Sequence, residues 1–162
     1  MDLMQWLTTD LNGEFILTLL LSMIPVVELR GGIPFGVAAG LPVWAAYLAA
    51  VIGNLLPVPF IVVYIRRIFM FMRQHMPRLN SVVDKMEQKA HLKSASVLKY
   101  QYLGLAIFVA IPLPGTGAWT GSLAAAFLDM RLRKAFPAVL LGVLTAGCIM
   151  TALTHVGVNL FS

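Results

Sequence analysis

Glu28 and Arg30 stand two residues apart in the string Pro25-Val-Val-Glu-Leu-Arg-Gly-Gly-Ile-Pro34, within a stretch otherwise apolar enough to sit in lipid. Holding an ionisable side chain at membrane depth costs roughly 3 kcal/mol on insertion scales, so such a pair is the first place to look for chemistry. Arg30 suits an anionic headgroup, because a guanidinium offers several donors in a fixed plane. Glu28 suits the uptake and release of a proton. Burial and the neighbouring guanidinium act on that proton in opposite senses, so the sequence leaves its status open. A mutually neutralising pair that only fixes a turn is the alternative. Two glycine-rich strings, Gly31-Gly32 and Gly115-Thr116-Gly117, would let backbone amides approach a ligand closely, or would simply form tight turns. A helix restarting after each string would aim its N-terminus at that ligand, a favourable place for phosphate or carboxylate. Thr116, Thr120 and Ser122 add hydroxyls. Trp119 reads as turn packing or as a substrate platform. Asn54, inside a long apolar run, faces either a central cavity or a neighbouring helix. Glu28, Arg30, Gly31, Gly32, Asn54, Gly115, Thr116, Gly117, Trp119 and Thr120 are thus the candidate substrate-binding residues, with Glu28 as the proton-coupling one.

Composition says what must position them. Of 162 residues, 59% are hydrophobic and 12% charged. Soluble domains carry about 25% charged residues, so lipid must cover part of this surface and an all-α integral membrane protein is expected. One domain suits the length. The single cysteine, Cys148, excludes a disulfide framework and a cysteine-rich metal site, and packing is its expected role. No metal or cofactor site is predicted.

Residues 43–65 and 135–161 carry no Asp, Glu, Lys or Arg and are long enough to cross a bilayer. Residues 15–42 and 103–130 differ. Each has an apolar arm too short to cross, then a Pro/Gly-rich string (residues 28–34 and 112–117), then a second short arm. Proline and glycine end helices there, and freed backbone groups cannot face lipid. Each is expected to be a re-entrant hairpin with a polar tip.

Charge decides between hairpins and simple crossings. Eight basic residues (Arg66, Arg67, Arg73, Arg78, Lys85, Lys89, Lys93 and Lys99) occupy one linker, and Arg131, Arg133 and Lys134 a second. Four crossings would put these clusters on opposite sides; two hairpins and two crossings put them on one. The second arrangement obeys the positive-inside rule and leaves only Arg30 in the membrane. It predicts a multi-pass protein of the cytoplasmic (inner) membrane, both termini outside, with the basic loop 66–99 in the cytoplasm. The basic charge is then accounted for without nucleic acid.

The order hairpin, spanning helix, linker, hairpin, spanning helix is an inverted repeat, as in many secondary transporters. Residues 66–102 form a basic amphipathic linker on the inner leaflet, and residues 1–14 an outer interfacial segment. Small residues at Ala45, Ala49 and Gly53, and at Gly142 and Ala146, suggest close packing against the hairpins. Their spacing also leaves a homodimer open.

Two strings, Pro25 to Pro34 and Ile111-Pro-Leu-Pro-Gly-Thr-Gly-Ala-Trp-Thr-Gly121, resemble those of the small multidrug export proteins over nearly the whole chain. That resemblance implies efflux. More distantly the layout resembles the DedA membrane proteins, with two opposed hairpins around a central site. Their likeness implies movement of polyprenyl-phosphate and other lipids between leaflets. Glu28, Pro34 and Gly36 resemble the DedA acidic motif, but Val37 stands near the place of its second acid. The arginines around the second DedA hairpin are absent from this tip.

The expected function is therefore a small transporter that exposes a midplane site alternately to each face. Its partners would be membrane lipid and an anionic lipid or small-molecule substrate, such as a polyprenyl-phosphate, moved with a proton. Proton-coupled efflux of cationic drugs is the runner-up, against which Arg30 argues. A membrane lipid phosphatase is the enzyme alternative. It would need a nucleophile with several partners, and one carboxylate and one arginine are too few.

Overall fold

In a computed structural model, residues 11–75, 95–113, 115–128 and 130–161 are described, and every regular element among them is an α-helix. In chain order these are α1 (Leu11–Ser22), α2 (Glu28–Ala38), α3 (Val43–Leu55), α4 (Pro57–His75), α5 (Ala95–Ala110), α6 (Ala118–Phe127) and α7 (Leu132–Phe161). The all-α expectation is met. Residues 43–65 and Leu132–Gly157 are long and apolar enough to cross a membrane, with mean hydropathies of 2.2 and 2.0.

The outer surface is apolar. Trp44, Leu48, Ile52, Leu56, Phe60 and Tyr64 recur every fourth residue and are all exposed, a continuous stripe along α3 and α4. Leu141, Ile149, Leu153 and Val156 do the same for α7, and Leu103 and Ile107 for α5. Water does not tolerate so large a contiguous apolar surface, whereas hydrocarbon does.

The first hairpin pairs α1 with α2, of 12 and 11 residues. At 1.5 Å per residue each reaches only about 17 Å, little more than half the hydrocarbon thickness. Its tip is not residues 28–34. The chain turns at residues 23–27, because Pro25 lacks an amide hydrogen and disfavours helix at Ile24. Helix resumes at Glu28, so Gly31, Gly32 and Pro34 lie inside α2. The arms pack through matched four-residue spacings. Ser22 lies against Gly32, Thr18 against Gly36 and Glu14 against Gly40, and a Cβ at Gly32 or Gly36 would collide with the facing hydroxyl. Glu14, Thr18 and Ser22 are buried accordingly. Glu14 thus belongs to the first arm rather than to an outer interfacial segment; residues 1–10 of that segment lie outside the described residues. The hairpin ends in a Schellman turn: Leu41 N–H bonds Gly36 O, Gly40 N–H bonds Val37 O, and Gly40 takes φ 107°.

Residues 43–65 are not one regular helix. The helix breaks at Leu56, ahead of Pro57 and Pro59, which have no amide hydrogen to give. Above the break α3 packs on the first hairpin; beyond it α4 packs on α6 and continues to His75. In the second half, α5 begins at Ala95 rather than at 103, and α7 begins at Leu132, so Arg133 and Lys134 lie in its first turn. The amphipathic linker expected over 66–102 thus includes the end of α4 and the start of α5. Its positions Met76, Leu79, Val83 and Met86 lie outside the described residues.

The second arm of each hairpin packs on the long apolar segment of the other half: α2 on α7, and α6 on α4. Ala45, Ala49, Gly53, Gly142 and Ala146 are all buried inside this assembly. Gly53 abuts the Leu19 carbonyl and Gly142 abuts Val109. These small residues serve packing within the chain, as expected, so their spacing carries no argument for a second copy. Cys148, expected in packing, is instead exposed beside the Tyr47 hydroxyl.

Candidate functional site

The two tips meet, and they meet through Glu28. The residue is 5% exposed, yet it is the first of α2 and adopts φ 47°. That left-handed conformation costs a non-glycine residue about 1–2 kcal/mol, so the surrounding packing must impose it. It turns the carboxylate out of its own hairpin and toward the other one.

There the carboxylate serves as a cap. Helix α6 starts after Gly117, which offers no side chain to accept the first amides. Trp119 N–H, the second helical amide, donates instead to Glu28 Oε1 at 3.3 Å. A carboxylate at this position gains from both the free amides and the helix dipole. Arg30 Nη2 lies 3.8 Å from Glu28 Oε2, with its side chain 25% exposed. Gly117, at φ 137°, is what allows the approach, because a Cβ there would overlap the Glu28 carboxylate. Trp119 joins the tips a second time: its indole Nε1–H donates to the Met23 carbonyl at 2.9 Å.

Beside this junction lies a cavity of about 20 Å³, room for roughly one water. Glu28, Arg30, Asn54, Thr116 and Gly117 line it together with apolar residues of the second tip, α5 and α7, among them Val109, Val143, Ala146 and Met150. Asn54 is 1% exposed, and its Oδ1 accepts no hydrogen bond. A buried amide oxygen without a donor costs about 1–3 kcal/mol, so it is held there against its own preference. Of the two places the sequence allowed for Asn54, the structure selects the cavity.

The other candidates divide. Gly31 and Gly32 are packing positions inside α2: a Cβ would strike Val27 at the first and Ser22 at the second. Thr116 lines the cavity, but its hydroxyl is engaged by its own turn, within donating reach of the Ile111 and Leu113 carbonyls and accepting from Leu113 N–H. Gly115, at φ 90° with open space around it, shapes the turn. Thr120 Oγ1 faces the Gly117 carbonyl at 3.4 Å and Ser122 bonds Ala118 O, so both hydroxyls turn back on α6. Trp119 is tip packing through its ring and part of the site through its amide.

Sequence reasoning did not single out Met23 or the α7 wall. Val143, Ala146 and Met150 share one helix face by their spacing. Equivalent spacings recur all round this apolar helix, so no local signal distinguishes the cavity side. Among the described residues there is no group of three His, Cys, Asp or Glu able to hold a metal ion.

This arrangement brings the α6 N-terminus, a guanidinium and a carboxylate together at one buried point, with the carboxylate seated on the N-terminus. No curated protein and no solved structure matches the chain. A family model does, over residues 28–149, about three quarters of the length. Those residues run from the capping glutamate, just after the first tip, through the second tip and more than half of α7, and on that match the chain belongs to the family described as putative small multi-drug export protein.

Proposed function

We propose that this membrane protein carries an anionic lipid headgroup across the bilayer by alternating access at the junction of the two tips, coupled to a proton on Glu28. The observation behind the reading is the cradle itself. One half of the chain supplies a carboxylate and a guanidinium, and the other a bare helix N-terminus, at one buried point. A lipid phosphate such as a polyprenyl-phosphate suits a cavity too small for a whole solute, because the tail can stay in the bilayer while only the headgroup enters. Rocking of the two halves about the Leu56 break would open the junction to each side in turn. In this reading the protein lies in the cytoplasmic membrane, both termini outside and the basic loop 66–99 inside, as charge favours.

A second reading, proton-coupled export of cationic compounds with Glu28 as the shared site for drug and proton, is favoured by the family description. The guanidinium 3.8 Å from that carboxylate opposes it. We read the chain as a transporter rather than a lipid phosphatase. The cavity holds one carboxylate, one guanidinium and a hydroxyl already bonded to its own turn, with no general base beside a nucleophile.

Proteoliposomes decide between these readings. Polyprenyl-phosphate translocation and efflux of a lipophilic cation would be measured in parallel under an imposed pH gradient. The proposal expects lipid movement that Arg30→Ala reduces severely. Lipid movement indifferent to Arg30→Ala would sink the anion site, and cation efflux lost only in Glu28→Gln would establish the second reading. Release of free phosphate would mark an enzyme.

A further inference from the structure

We infer that Glu28 is a two-position carboxyl: ionised, it fills the anion site at the α6 N-terminus itself; protonated, it yields that site to the ligand's oxyanion and donates to Asn54 Oδ1. This rests on the anion-transport reading and adds how proton and substrate are coupled.

Two independent observations carry it. The first is occupancy. The α6 amide that a headgroup oxygen would use is already engaged by Glu28, and Gly117 is kept bare so that the carboxylate fits. A second negative charge cannot share this point, because like charges in a poorly solvated site do not both persist. The remaining cavity, about 20 Å³, is too small for a phosphate group, so loading requires the carboxylate to leave. The second observation is Asn54. Its Oδ1 is buried, without a donor, and lines the same small cavity as Glu28. An acceptor needs a hydrogen to satisfy it, and the ionised oxygens of an oxyanion bring none. A protonated Glu28, which lines the same cavity, does.

The surroundings leave little else to take part. Among the residues that line the cavity, Arg30 on the same helix is the other charged group. Helix α3 contributes Asn54, α5 Val109, α6 Ala118, and α7 Val143, Ala146 and Met150. Arg30 stays to neutralise the incoming oxyanion. One proton and one monoanion therefore load together, and the loaded site has the same net charge as the unloaded one. That equality lets both forms cross between faces at similar electrostatic cost. The ligand class is an oxyanion headgroup, whether on a lipid or free.

The test is proton linkage of anion binding to the full-length protein in detergent micelles. The probes are short-chain phosphatidylglycerol, whose phosphodiester keeps one charge across the pH range, and dimethyl phosphate as a tail-free phosphodiester of the same single charge. Titration calorimetry in buffers of different ionisation enthalpy counts protons. The expected result is uptake of about one proton per anion by the wild type. Above the pH at which Glu28 ionises, affinity should fall about tenfold per pH unit. Glu28→Gln should bind more tightly at high pH, with no proton uptake and a flat pH profile. Asn54→Leu should weaken binding while keeping the uptake. Wild-type binding without proton uptake at every pH, with a flat pH profile, overturns the inference and leaves the anion-transport reading standing, and it needs no variant to fold. No binding of either probe to the wild type or to Glu28→Gln overturns both. Equal behaviour of the two probes assigns recognition to the oxyanion alone; binding of the lipid only assigns it to headgroup and tail together, with the coupling intact in either case.

Discussion

Replacing Gly117 by alanine tests the junction most directly, because two separable penalties fall on one added methyl. The backbone at φ 137° disfavours any L side chain, at about 1–2 kcal/mol. The new Cβ would also overlap the Glu28 carboxylate, which must then leave the α6 N-terminus. Trp119 N–H loses a charge-assisted acceptor at a part-buried site, worth about 1.5–3 kcal/mol. Gly117→Ala alone should therefore cost about 2.5–5 kcal/mol. Glu28→Ala removes the group that is displaced, so in that background Gly117→Ala should cost only the backbone share, about 1–2 kcal/mol. The coupling between the positions is then about 1.5–3 kcal/mol, well above the few tenths expected of independent sites. Equilibrium unfolding in mixed micelles of the four proteins, followed by helix ellipticity, measures it. Equal cost of Gly117→Ala in both backgrounds would refute the claim that Glu28 caps α6.

Trp119→Phe keeps an aromatic, though smaller, side chain and removes the indole donor to the Met23 carbonyl. A loss of about 1–2 kcal/mol is expected in the same unfolding assay, since a partly buried carbonyl is left unpaired; no loss would mean the tips are not joined there. Asn54→Leu removes an amide oxygen without a donor. It should leave stability unchanged or raise it by about 1 kcal/mol while transport in proteoliposomes falls, the separation expected of a functional rather than a structural polar group. A loss of stability without a loss of transport would reverse that assignment. Gly53→Ala would drive a methyl into the Leu19 carbonyl, a backbone atom that cannot turn aside. A cost of about 2–3 kcal/mol is expected, against roughly zero for Gly104→Ala, which meets open space. Similar thermal shifts for the two would contradict the packing of α1 on α3.

Much of the frame is readable without coordinates. A charge content of 12% calls for lipid, and two short-armed Pro/Gly segments, each followed by a long apolar run, give the order of elements. Glu28 and Arg30 stand out because charge in such a chain is costly to keep. These are properties of composition and local stereochemistry, which a residue carries with it wherever the chain goes. What failed to be legible is where each break falls and which way each face turns. Gly31-Gly32-Ile33-Pro34 has the composition of a turn, yet it forms helix, because Pro25 has already turned the chain and Ser22 and Thr18 need glycines opposite them. Glu28 caps a helix that begins ninety residues later in the chain, and Asn54 faces a cavity whose other walls come from four other helices. No local pattern encodes the azimuth of an all-round apolar helix. Only the packing of α2 on α7 and of α6 on α4 sets it. Sequence alone determined that one tip is charged and the other bare. That the charged tip occupies the bare one was decided by tertiary structure, because a helix N-terminus and a carboxylate find each other only once both hairpins are folded and packed.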